Sequence, residues 1–266
     1  MRKPVISLVS DFGSRDPYVA EMKAVILNIY ENAQIVDISH EIDKFDVRMG
    51  AFLLASAAPH FPKGTVHVAI VDPGVGTMRR PIIVETEKNL FVGPDNGVLM
   101  LAAEKEGIKH VYMISNKKFM LQKVSSTFHG RDVFAPVAAY LAKGHSPTEI
   151  GFEISDYIIP EFAKPTVKAR TLIGKVLYVD SFGNVFTNIS TKHLDKINAK
   201  VGDSLLIKLN EKTLRLKYCT AYGEVNANEL LTVVGGHGFI EISANQSNAS
   251  QRLNIKPRIS IQISKA

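Results

Sequence analysis

The feature that most constrains this chain is a change of hydrophobic rhythm near its middle. Through the first half, apolar runs of strand length alternate with segments whose apolar residues recur three and four positions apart. From about residue 173 onward almost every apolar segment is short, strand-like and bounded by turn residues. The first pattern predicts an α/β domain with a largely parallel sheet, because parallel strands need helix-sized crossovers. The second predicts a smaller, compact β-barrel or sandwich. Residues 157–167, with Pro160 and Pro165, read as the linker, which gives domains over 1–160 and 170–266.

In the first domain, strands are expected over 5–10, 35–39, 65–71, 81–87, 90–92 and 111–115. Asp16 before Pro17 reads as a helix N-cap with proline at the first helical position. Val19, Met22, Val25, Ile26, Ile29 and Tyr30 then recur at helical spacing. Asp46 can cap a helix to about Ala57, and the turn 94–97 leads into a helix to about Lys105. Asp132 reads as the cap of a helix through Leu141 that Gly144 ends. In the second domain, strands are expected over 174–180, 184–189, 204–209, 213–218, 230–234, 239–243 and 258–263, with one helical turn near 192–197.

With 266 residues, 45% hydrophobic and 22% charged, the chain is long enough for two cored domains and has a soluble globular profile. The apolar run after the basic residues at 2 and 3 is too short for a secretory core or a membrane span. Cys219 is the single cysteine, so no internal disulfide can form, and a cytoplasmic protein with a buried structural thiol is expected. The net charge of +6 would suit nucleic acid, but the basic residues are scattered and alternate with apolar ones, as on a solvated strand face. No nucleic-acid or membrane partner is therefore expected. His40, His60, His110, His145 and His237 have no metal-ligand spacing, and no metal is expected.

Polar groups gather where the strands of the first domain should end, which is where open α/β sheets bind ligands. Asp11 follows the first strand and Asp72 the third; the glycine-containing loop 73–78 leads to Arg79; His129 precedes a helix. Each has a plain reading as well. Asp11 and Asp16 suit turns or caps, the Gly74–Gly76 loop suits an ordinary turn, and His129 beside Phe128 suits a buried structural histidine. The loop is neither a dinucleotide fingerprint nor a Walker loop. In the second domain, Asp180 and Asn184 bracket a segment that reads first as a hairpin turn.

Taken together and in order, six blocks carry a specific resemblance. They are SDFGSRDPYVAEMKAVI (10–26), VDPGVGTMRRPI (71–82), FVGPDNGVL (91–99), FHGRDVFAPVAAYLA (128–142), DSFGNVFTNI (180–189) and GGHGFIEISANQSNAS (235–250). The chain resembles the S-adenosylmethionine (SAM) hydroxide adenosyltransferase family, hydrolases related to fluorinase and chlorinase. The resemblance implies an N-terminal α/β domain, a C-terminal β-barrel and a homotrimer with active sites at subunit interfaces. It implies that SAM is a substrate, split by water into adenosine and methionine, with no cofactor. The water-holding Asp–Arg–His set falls on Asp72, Arg79 and His129. The ribose-binding aspartate falls on Asp11, and Asp16 and Asp180 would meet the methionine amine. Asn184, with the strand around Ser243 and Asn245, would face the adenine, and Phe182 could stack on it. His237 stands where relatives often have a serine that contacts the methionine carboxylate.

The halogenases carry tyrosine at the position of Asp72, Tyr-Ser at His129-Gly130, and an inserted loop absent here. An anionic Asp72 repels halide, and Gly130 has no hydroxyl to bind it, so hydrolysis is expected over halogenation. Outside catalysis, the alternative is a nucleoside- or SAM-binding protein without turnover.

Overall fold

The first strand, β1 (Val5–Ser10), is buried along its whole length and pairs in parallel with β2 (Gln34–Ser39) on one side and β3 (Val66–Ile70) on the other. That arrangement appears in a computed structural model, which describes residues 3–209, 212–257 and 259–266. Two compact units are present, one ending at Pro160 and the other beginning at Glu161.

In the first unit, α1 (Tyr18–Ile29) connects β1 to β2, and α2 (Val47–Ala57) connects β2 to β3. There follow β4 (Pro81–Thr86), β5 (Leu90–Pro94), α3 (Met100–Glu106), β6 (Ile108–Ile114), α4 (Ala135–Ala142), α5 (Pro147–Ile150) and β7 (Gly151–Glu153). The sheet order is β2-β1-β3-β5-β4-β6-β7. The pairings from β2 to β5 are parallel, whereas β4 pairs antiparallel with both β5 and β6, and β7 with β6. The sheet is thus parallel at its core. Because β2 lies on one side of β1 and β3 on the other, the order in which strands are added reverses between β1 and β3, the point where such sheets open a crevice.

Strand alternation decides what each face packs. Ile6 and Leu8 of β1 join Val66, Val68 and Ile70 of β3 in one core with Met22 and Ile26 of α1 and Val137, Ala138 and Leu141 of α4. Ser7 points to the other face, where its hydroxyl lies 2.6 Å from Nδ1 of His67. That ring stacks on Phe91 and is fully buried. Each fully buried aliphatic or phenyl side chain contributes about 1.5–3 kcal/mol by leaving water.

Two expected caps are corrected. Helix α1 begins at Tyr18 with Pro17 at its N-cap in a helical conformation, and no side chain caps it; Asp16 lies outside the helix and is exposed. Asp132 does not cap α4 either. It sits within a π-helical turn, Gly130–Phe134, in which the Ala135 N–H reaches back five residues to the Gly130 carbonyl. Asp46 does cap α2, accepting from the N–H groups of Arg48 and Met49.

The second unit is a closed barrel. Its elements are β8 (Thr166–Lys168), β9 (Thr171–Val179), β10 (Val185–Ser190), α6 (Thr191–Asp195), β11 (Ser204–Leu209), β12 (Lys212–Cys219), β13 (Leu230–Val234), β14 (Phe239–Ala244), α7 (Ala249–Leu253) and β15 (Ser260–Lys265). Seven strands form the ring β9-β10-β14-β13-β12-β11-β15, closed by the pairing of β15 with β9, and β8 adds to β9 from outside. Leu172, Val185, Leu205, Ile207, Ile240, Ile242, Ile261 and Ile263 fill it. Cys219 is buried, and burial pushes its thiol pKa up. A second helical turn, α7, adds to the one expected; Asn248 caps it and Asn254 ends it in a left-handed conformation. The final strand was expected from 258, but β15 begins at Ser260, and Arg258 lies outside the described residues. Among the described residues no helix is long and apolar enough to cross a membrane.

Candidate active site

The crevice between β1 and β3 receives Asp11 from the first strand and Asp72 from the third. Asp11 is buried; its Oδ2 accepts the Phe45 N–H at 2.9 Å and its carbonyl accepts Lys44 Nζ. Phe45 itself holds a left-handed φ of 65°, which a non-glycine residue adopts at a cost.

Asp72 is held by supports on both sides of its loop. Asn96 of the 94–97 turn donates to the Val71 carbonyl at 2.7 Å, and neighbouring Asp95 accepts Arg80 Nη2 at 2.7 Å and Nε at 3.0 Å. The block FVGPDNGVL therefore secures the start and the finish of the segment that carries Asp72 and Arg79. Between them the loop folds into tight turns: Val75 N–H bonds the Asp72 carbonyl, and the Thr77 N–H and hydroxyl both bond the Gly74 carbonyl. The turns bring Arg79 back onto Asp72. Nη2 lies 2.6 Å from Oδ2, and Nε lies 2.9 Å from Oδ2 and 3.0 Å from Oδ1.

His129 completes the cluster from 50 residues away, with Nδ1 2.7 Å from Arg79 Nη2. A guanidinium can only donate, so Nδ1 accepts, and a neutral His129 carries its proton on Nε2. Burial, followed by the positive charge of Arg79, lowers the His129 pKa; Asp72, Asp132 and a hydrogen bond with the Ser125 backbone act in the opposite direction. The ring is neutral at pH 7. Arg79 also lies over the Phe134 ring, 5.2 Å from its centroid. Its Nη1 is buried with no hydrogen-bond partner among the described residues. An unpaired buried donor costs about 1–3 kcal/mol, more when charged, and is an expected mark of a ligand site.

The second unit places a different set of residues around a cavity of about 740 Å³. Asp180, Phe182, Asn184, His237 and Asn245 line it, together with Tyr222 and Glu241. The segment 180–184 is indeed the hairpin between β9 and β10. Asp180 Oδ1 accepts the N–H groups of Phe182 and Asn184, and Oδ2 accepts Asn184 Nδ2 at 3.0 Å. Phe182 is 77% exposed at the cavity, whereas Phe186 is core and cavity wall at once. Ser243 is fully buried outside the lining, and its hydroxyl donates to Glu241. Asn245 donates to the Val225 carbonyl, and the exposed His237 ring lies 5.6 Å from Phe186.

Sequence reasoning missed Glu241 and Tyr222. Glu241 is 1% exposed, accepts from Tyr222 and Ser243 hydroxyls, and has its pKa raised by burial and by the charge of Asp180. The available signal was an acid inside the otherwise apolar-and-small run FIEISA. Among the described residues neither Lys nor Arg lines this cavity, whereas Asp180 and Glu241 do, so its lining is acidic. Among the described residues no group of three acidic, histidine or cysteine side chains is arranged to hold a metal ion.

The two halves correspond to two family models. The model for the SAM hydroxide adenosyltransferase N-terminal domain matches residues 6–151, and that for the C-terminal domain matches residues 174–262. The chain belongs to this family. A relative in Methanocaldococcus jannaschii, named (R)-S-adenosyl-L-methionine hydrolase, is 38% identical across 94% of this chain and 92% of its own length. Another hydrolase of that name, from Thermus thermophilus, is 32% identical across 98% and 99%. A fluorinase from an Actinoplanes strain is more distant, at 27% identity over 99% and 98%. The crystal structure of an uncharacterized conserved protein from Thermotoga maritima superposes with a TM-score of 0.88 at 38% identity, covering 97% of this chain and 99% of that one.

Proposed function

We propose that this protein is an enzyme that hydrolyses S-adenosyl-L-methionine to adenosine and L-methionine. The observation that carries the reading is the buried, unpartnered Nη1 of Arg79 beside Asp72 and His129. A donor so placed suits one small oxygen nucleophile, and the kinship with named hydrolases supplies the electrophile.

In the reaction, a water oxygen attacks the ribose C5′ while the C5′–S bond breaks. Sulfur keeps the electron pair, so the sulfonium becomes a neutral thioether and methionine needs no proton to leave. The attacking water must lose one, from a starting pKa of 15.7. Arg79 stabilises the developing hydroxide through Nη1. His129 cannot accept that proton at Nδ1, which is engaged by Arg79, and its neutral Nε2–H is a donor. Asp72 is the acceptor in the cluster, and its bonds to Arg79 fix the direction in which it takes the proton. Positioning of this kind is worth up to roughly 7–11 kcal/mol when alignment is ideal.

Substrate recognition falls to Asp11 at the ribose, with Asp16 and Asp180 at the methionine amine. Asn184, Phe182, Ser243 and Asn245 serve the adenine end, Ser243 acting through Glu241, and His237 takes the carboxylate. The acidic, aromatic lining of the cavity suits a substrate bearing a sulfonium and an ammonium. SAM is consumed as substrate in this scheme, and no cofactor takes part. A homotrimer whose active sites form at subunit interfaces remains part of the proposal, on the family resemblance.

Gly130 favours water over halide. A Cβ there would lie 3.1 Å from Phe128 and 3.3 Å from both Ile70 and Phe12, so a serine hydroxyl has no ready place. The test is incubation of the purified protein with SAM, with and without chloride, followed by chromatography. Equal formation of adenosine and methionine under both conditions supports the reading. A 5′-chloro product would make the protein a halogenase, and tight binding without product would make it a sensor.

A further inference from the structure

Asp132 has no solvent exposure, and the reaction scheme above makes no use of it. Taking a carboxylate out of water is costly unless donors surround it. Here they do. Oδ2 accepts the Ser125 N–H at 2.7 Å, and Oδ1 accepts Arg131 Nε at 2.7 Å. The Asp132 backbone bonds the same segment again, donating to the Phe128 carbonyl at 3.2 Å and accepting the Leu121 N–H at 2.9 Å. One residue inside the π-helical turn thus clamps residues 121–128 at several points.

The clamped segment touches both arms of the catalytic cluster. Gly76, midway between Asp72 and Arg79, lies so close to it that a Cβ would come within 2.2 Å of the Ser126 carbonyl. Gly76 also has φ +74°, so its loop meets the segment backbone to backbone. On the other arm, the Ser125 backbone is a hydrogen-bonding partner of the His129 ring. A displacement of residues 125–126 would therefore disturb both the Arg79 loop and His129.

The geometry points to Asp132 as a positioning residue that sets the register between the Asp72–Arg79 loop and His129, and so maintains the bond from Arg79 Nη2 to His129 Nδ1. A plainer role would be to anchor Arg131, which also pairs with Glu21 at 2.8 Å and lies over the Phe128 ring. That role requires neither the bond to the Ser125 N–H nor complete burial.

The inference rests on the proposed hydrolysis, so the variant Asp132→Asn is assayed beside the unaltered enzyme. An asparagine keeps the shape but presents an NH2 to one of the two donors. The expected result is a kcat lower by about 10- to 100-fold, the range for a small misplacement of reacting groups, with KM for SAM unchanged. The acid limb of the pH–kcat profile moves to lower pH. Four groups act on His129: Arg79 lowers its pKa, whereas Asp72, Asp132 and the Ser125 backbone raise it, so removing one anion moves the value down. An NMR titration of the His129 ring reads the same downward movement without turnover. Should the unaltered enzyme leave SAM intact, the hydrolase reading falls and the titration still judges Asp132. An unmoved acid limb and an unmoved titration, or equal losses in kcat and in substrate binding, overturn the positioning role. If Asp132→Asn does not fold, Gly76→Ala disturbs the same contact from the other loop. It should lower kcat with KM unchanged, and full activity in that variant overturns the inference.

Discussion

The two units solve opposite problems with carboxylates. In the first, Asp72 is locked by three close contacts to one guanidinium, and the cluster of Asp72, Arg79 and neutral His129 carries almost no net charge. In the second, Asp180 and Glu241 share a cavity that no described lysine or arginine lines, and Phe182 stands largely exposed at its edge. A charge-balanced cluster with one donor left over suits the precise handling of one water molecule. An unbalanced acidic cavity suits the capture of a cation. The proposed function accordingly places the water-handling cluster in the first unit and the cation-suited cavity in the second, with Asp11 and Asp16 of the first unit adding to recognition.

The largest expected effect tests that division directly. Asp72→Ala should reduce turnover by about 10²- to 10⁴-fold, the span of general-base contributions, while calorimetry finds SAM bound nearly as before. Comparable losses of turnover and binding would break the division. Next in size is Asp180→Asn, which keeps an acceptor for the hairpin N–H groups but removes the charge. Losing one charge-assisted contact is worth about 1.5–3 kcal/mol, so KM should rise at least tenfold with kcat little changed. A fall confined to kcat would move Asp180 from recognition to chemistry.

The effect least tied to the two sites concerns stability. Burial lowers the His67 pKa from 6.5 to about 3. Between those values the unfolded chain binds the proton and the folded one does not, so stability declines as pH falls below 6.5, by roughly 5 kcal/mol at most. Glu241 in the barrel has the opposite sign: its raised pKa favours the protonated form, so its contribution is present in acid and is lost as pH rises. Thermal scans from pH 7 to pH 4 should show a loss that His67→Gln lessens. An identical loss in the variant would remove His67 from the account.

Much of this architecture was legible because it depends on local pattern. Asp46 caps α2 through its own following N–H groups, and the hairpin at 180–184 closes on its own Asp180. The readings that failed depend on distant partners. Asp132 looks like a cap in sequence, but its carboxylate is satisfied by the upstream Ser125 N–H, and the chain answers with a π-helical turn. Asp16 precedes a proline that itself occupies the N-cap. The Asp72–Arg79–His129 cluster could be reached only through family resemblance, since no periodicity links residue 79 to residue 129. Glu241 escaped notice because alternation along β14 gives Phe239, Glu241 and Ser243 a common face without saying that the face borders a cavity.

Barrel closure has a consequence in time. Strand β9 carries one wall of the Asp180 hairpin, and its ring neighbours are β10, which follows almost at once, and β15, which ends at Lys265. A chain emerging from the ribosome can complete the N-terminal sheet, and with it the water-handling cluster, long before β15 exists. The acidic cavity must wait for that strand. During synthesis the Asp72–Arg79–His129 cluster can thus form before the ring that frames the acidic cavity has closed.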